Sequence, residues 1–113
     1  SMRLNLGGTD MFALYNSGLG LATWGGGGTA PTCTGAAIGS GSKNNAGFVT
    51  TSTTGTTTCV VTFSVTAPTG WSIAPQNTTT ANLIRQTGST ATTATFAGTT
   101  ISGDVITYIA TPY

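Results

Sequence analysis

The chain has no histidine and no glutamate, and only five charged residues among its 113: Arg3, Asp10, Lys43, Arg85 and Asp104. The usual general bases and most metal ligands are missing, so neither a catalytic site nor a metal or other cofactor is expected. A catalytic carboxylate pair would need Asp10 and Asp104 to meet across subunits. Asp104 reads instead as a turn residue in Ser102-Gly103-Asp104. The net charge of +1 gives no field to steer nucleic acid or an anionic membrane. No run approaches the roughly 18 to 20 apolar residues of a membrane helix, so membrane insertion is not expected either. Gly39-Ser40-Gly41-Ser42-Lys43 lacks the spacing of a phosphate-binding loop and has no helix after it. Two cysteines are too few for a zinc site within one chain.

What the chain does have is threonine, at nearly a quarter of all positions, and 17 glycines. Threonine is β-branched and favours strands, while glycine supplies the positive φ of tight turns. Windows rich in the usual helix formers are absent. The fold class is therefore all-β: an antiparallel β-sandwich, jelly-roll-like, preceded by a short N-terminal β-hairpin segment. With 4% charged residues, an isolated chain lacks the charged edges that normally block strand-to-strand aggregation. Its edges must be paired or covered, which intertwined oligomers achieve.

Ser1-Met2 reads as an expression scar, and the chain as a piece that begins inside a longer protein. Residues 1–28 form the first block. Leu4 and Leu6 alternate, Gly7-Gly8 turns the chain, and Phe12 and Leu14 alternate again. A turn at Asn16-Ser17-Gly18 then leads to Leu19 and Leu21. Two period-2 strands around such a turn predict a β-hairpin, a unit too small to stand alone in water. Trp24 closes the block, and Gly25 to Gly28 read as a hinge or linker.

Residues 29–113 form the head. Strands are expected over Ala46–Thr51, Thr56–Thr66, a stretch with Trp71 and Ile73 ended by Pro75, Asn82–Gln86, Ala91–Ala97 and Asp104–Ala110. Thr87-Gly88-Ser89 and Ser102-Gly103-Asp104 read as turns. Phe48, Val61, Phe63, Ile73, Phe96 and Ile109 are the expected core. The last strand carries apolar residues on both faces, one for its own core and one for a neighbouring subunit.

The step Gly18-Leu19-Gly20-Leu21 after the strand at Phe12 and Leu14 resembles the shaft repeat of viral fibres, the triple β-spiral. That resemblance implies a homotrimer in which Leu4, Leu6, Phe12, Leu14, Leu19 and Leu21 converge on the trimer axis. The head follows an order similar to C-terminal domains of bacteriophage tail-fibre and minor structural proteins. The residues that carry this are Pro31-Thr32-Cys33, Gly39-Ser40-Gly41-Ser42, Ala46-Gly47-Phe48-Val49-Thr50, Cys59-Val60-Val61-Thr62-Phe63 and the closing Gly103-Asp104-Val105-Ile106-Thr107-Tyr108-Ile109. It implies a trimeric fibre tip located in the virion, with a host cell-surface glycan or protein receptor as partner. A purely structural trimerisation or decoration module, and a bacterial surface adhesin, are the alternatives.

Aromatic faces pair with the C–H faces of sugar rings, and amides hydrogen-bond sugar hydroxyls. Trp71, Tyr108 and Tyr113, with Gln76 and Asn77 in the loop Gln76-Asn77-Thr78-Thr79, are therefore the candidate ligand-binding residues. The competing reading places Trp71 in the core, where large aromatics usually sit. Asn77-Thr78-Thr79 also matches a glycosylation triplet, which a bacterial virus would leave bare. Cys33 and Cys59 are expected close together, either as a disulfide or with Cys59 as a buried thiol. The reducing cytosol in which phage proteins fold argues against the bond.

Overall fold

The computed structural model describes residues 2–6, 9–14, 22–24 and 29–113, with side chains described from residue 29 onward. In the first block, β1 (Met2–Leu6), β2 (Thr9–Leu14) and β3 (Ala22–Trp24) form one antiparallel sheet in that order. Leu4 stands opposite Phe12, and Phe12 opposite Trp24. The expected turn at 16–18, with Leu19 and Leu21, and the glycine linker at 25–28 lie outside the described residues.

The head contains eight strands and, among the described residues, no helix. They are β4 (Thr32–Thr34), β5 (Ala36–Ile38), β6 (Ala46–Thr51), β7 (Gly55–Thr62), β8 (Trp71–Asn77), β9 (Ile84–Ser89), β10 (Thr93–Thr100) and β11 (Val105–Pro112). They build two four-stranded antiparallel sheets, ordered β4-β7-β10-β9 and β5-β6-β11-β8. The head is an all-β sandwich. Only β5–β6 and β9–β10 are hairpins within a sheet; the other connections cross between the sheets.

Alternation along each strand decides what lies between the sheets. On β7, Thr57, Cys59 and Val61 are buried, and Phe63 just beyond the strand continues the row. On β11, Ile106, Tyr108 and Ala110 point inward while Ile109 points out. Phe96 from one sheet meets Tyr108 from the other with ring centroids 5.6 Å apart. Phe63 and Trp71 stack in parallel at 3.6 Å. Burying each such side chain contributes roughly 1.5 to 3 kcal/mol, so this inner layer carries the fold. Where threonine is buried it is paired: the Thr57 and Thr100 hydroxyls hydrogen-bond each other at 2.8 Å.

Cys33 and Cys59 occupy directly paired positions of β4 and β7 and are joined by a disulfide. At Gly35 the chain leaves one sheet for the other. Its φ of +84° suits glycine, and a Cβ there would stand 3.0 Å from the Thr53 Oγ1 and 3.1 Å from the Thr56 carbonyl.

Several expectations are corrected. Phe48 and Ile109 belong to the outer face of the second sheet, 38% and 49% exposed, because both sit out of phase with the buried row. Pro75 does not end β8, which continues to Asn77. The strand is an edge, and Trp71 and Ile73 point their N–H groups away from β11, towards side chains on β9. Pro75 shares that parity, so its missing N–H removes no ladder bond. Thr87-Gly88-Ser89 is not a turn but the end of β9, with a register shift opposite Thr95/Phe96. The turn lies at 90–93, where the Thr90 hydroxyl accepts the Thr92 and Thr93 N–H groups at 3.2 and 3.0 Å. The short strands β4 and β5, with three residues each, carry no alternation long enough to read.

Candidate functional site: a cleft beside β8

Strand β8 presents Trp71 and Ile73 inward and Ser72, Ala74 and Gln76 outward. After Asn77 the chain turns through six residues, Thr78 to Leu83, before β9 begins at Ile84. An open cleft of about 270 Å³ forms here, lined by Pro75, Gln76 and Asn77 of β8 and by residues 80–84. Gly98 of β10 lets the end of this loop approach closely. A Cβ at Gly98 would stand 2.3 Å from the Leu83 carbonyl oxygen.

The loop is held by a buried carboxylate. Asp104 Oδ2 accepts hydrogen bonds from Asn77 Nδ2 at 2.8 Å, Thr80 Oγ1 at 3.0 Å and the Ile101 N–H at 3.0 Å. Asn77 Oδ1 accepts the Thr79 and Thr80 N–H groups, both at 3.0 Å. Thr78 donates its N–H to the Val105 carbonyl at 2.9 Å, and the Val105 N–H donates to Thr79 Oγ1 at 2.9 Å. Segment 77–80 is thereby stapled to the start of β11. The Ile101 N–H, above all, holds the Asp104 carboxyl below its usual value; burial opposes this, and the Asn77 and Thr80 donors reinforce it.

The five candidate ligand residues do not converge. Trp71 is fully buried against Phe63, and its indole N–H donates to the Ala91 carbonyl at 2.9 Å. Tyr108 is also a core residue, with its hydroxyl donating to the Lys43 carbonyl. Burial pushes that phenol up to about 12. Tyr113 is 58% exposed, but it pairs with Gly70 at the Trp71 end of β8. That end is about 20 Å from Asn77, given the rise of an extended strand. Gln76 and Asn77 do line one cleft. Asn77 Nδ2 donates to Thr80 Oγ1 at 3.1 Å and to Asp104 Oδ2 at 2.8 Å, so it has no free donor for a ligand.

Two residues outside the expected set complete the wall. Asn82 and Leu83 fall in a stretch expected to be strand, whereas β9 starts only at Ile84. Leu83 is 74% exposed. The side-chain amides of Gln76 and Asn82 have no hydrogen-bond partner among the described residues. The polar run Asn77 to Asn82 is the sequence signal for a loop here. The cleft's lining carries no charge, so it suits an uncharged ligand with hydroxyl groups and an apolar face. No group of three or more potential metal-ligating residues occurs among the described residues. No family model, curated protein or solved structure matches the chain.

Proposed function

We propose that the chain is a fibre-tip domain of a virion, assembled as a homotrimer, that attaches to a host cell surface by binding a glycan or protein receptor without catalysis. The cleft beside β8 carries this reading. It is an open, uncharged concavity with two amides that have no partner among the described residues, and an exposed leucine. A binding site of that composition holds a neutral polar ligand and offers no group for general acid–base work. The Asp104 carboxylate, the one acid in the head, is buried and engaged by three donors. The resemblances to fibre shafts and tail-fibre domains supply the biological setting.

A purely structural module is the second reading. The observation in its favour is the outer face of the second sheet, where Phe48 and Ile109 lie exposed on neighbouring strands. Covering that face by a neighbouring subunit would serve assembly with or without a receptor. Glycan-array binding separates the two. Recognition predicts a defined set of neutral glycans bound by the purified chain, and binding to host cells. A chain that assembles yet binds no glycan, no host protein and no cell is a structural module.

A further inference from the structure

We propose that the cleft between β8 and the loop leading into β9 is a subsite for one uncharged pyranose ring. The Gln76 and Asn82 amides hydrogen-bond its hydroxyls, and Pro75 and Leu83 lie against its C–H face. This rests on the recognition reading and gives it a site and a ligand class.

Four observations carry it. The volume of about 270 Å³ lies at the small end of ligand pockets, the scale of one sugar ring rather than an extended peptide. An amide is both donor and acceptor, which matches a hydroxyl that is also both. Gln76 and Asn82 both line the cleft, and neither amide is engaged by the protein among the described residues. The third is apolar: Leu83 stays 74% exposed at the cleft although the core lies beneath it at Ile84. A fully polar ligand would gain nothing from that leucine, whereas a pyranose has an apolar face to cover it. Finally, the walls are pre-set. Asp104 fixes Asn77 and Thr80, both of which line the cleft, so ordering the loop adds little to the binding cost.

The lining has no cation, which sets the expected selectivity: neutral sugars over sialic acid, uronic acids or sugar phosphates. Nor does an anionic wall exist to select amino sugars, since the Asp104 carboxylate is buried beneath the loop.

The test is a heteronuclear NMR titration of the full chain. The probes are the methyl glycosides of glucose, galactose, mannose, rhamnose and N-acetylglucosamine, with N-acetylneuraminic acid as the charged counterpart. At least one neutral glycoside should shift amide resonances within 75–84 in a saturable way, and N-acetylneuraminic acid should shift none of them. Gln76→Ala and Asn82→Ala should each weaken that binding about fivefold to tenfold, the usual range for one lost hydrogen bond. Their melting temperatures should match the parent's, since neither amide bonds to the described fold. Host-cell binding by the same variants distinguishes the two levels of the argument. Cell binding that persists undiminished in both variants overturns the subsite and leaves recognition standing. Saturable shifts confined to residues outside 75–84 do the same. No shift at 75–84 with any neutral glycoside, together with no binding to cells, overturns both.

Discussion

Replacing Gln86 by alanine removes a side chain that links the two sheets at their shared edge. Gln86 Oε1 accepts the Ile73 N–H at 3.2 Å, and its Nε2 donates to the Trp71 carbonyl at 2.7 Å. Gln86 belongs to β9 and its partners to β8, the edge strands of opposite sheets. The amide therefore continues the β8 ladder as a peptide group would. Alanine there leaves one donor and one acceptor open beside the buried Trp71 and Ile73. An unmet buried group costs about 1 to 3 kcal/mol, with the lower end applying where water reaches the edge. Two such groups, partly hydrated, set the expected loss at about 2 to 3 kcal/mol. At about 4 to 8 °C per kcal/mol for a domain of this size, the melting temperature should fall by about 10 to 20 °C. Urea denaturation followed by tryptophan fluorescence measures it, with Gln76→Ala as control. Gln76 lies on β8 and its side-chain amide has no partner among the described residues, so its loss should stay within about 0.5 kcal/mol. Gln86→Ala should also aggregate sooner near its transition, because the freed β8 edge is a template for strand addition. Equal stability of the two variants would refute the claim that this amide closes the sandwich.

Reducing the Cys33–Cys59 disulfide should cost about 3.5 kcal/mol in the chain-entropy account for a separation of 26 residues, read as a shift in urea midpoint with and without reductant. Phe63→Ala should cost about 3 to 5 kcal/mol, since it deletes a buried ring stacked at 3.6 Å on Trp71. The Asp104 carboxyl is held below its ordinary value, so its contribution is present above the unfolded value near 4 and is lost as pH falls further. Thermal melts through that acid range should therefore destabilise the parent progressively, while Asp104→Asn, already lacking the charge, should change little over the same range.

Strand content and phase were legible wherever alternation ran long enough. Along β7 and just beyond it, the row Cys59, Val61, Phe63 follows from period 2 alone, and the structure buries all three. Phe48 and Ile109 show the limit of that reasoning. Apolar identity suggested core, but inward neighbours Val49, Ile106 and Tyr108 already fill the layer, so phase wins over hydrophobicity. Pro75 misled because its effect depends on which way the N–H would point, which a sequence does not display. The three-residue strands β4 and β5 take their structure from pairing partners, not from local pattern. At the candidate site, Gln76 and Asn77 were visible as amides in a loop. What was invisible is that Asn77 is consumed by Asp104, 27 residues away. Asn82 and Leu83 escaped for the opposite reason: a β-compatible stretch became loop because the chain crosses between sheets there.

The proposed trimeric fibre assembly is tested most directly by sedimentation equilibrium of the full chain. The account predicts three chains per particle, unchanged over a wide concentration range. In a trimer the two outer edges of the β1-β2-β3 sheet would find neighbours in other chains, and the shortage of charge would stop being a hazard. A particle of one chain, with residues 3–24 protected from hydrogen exchange as firmly as the head, would contradict it.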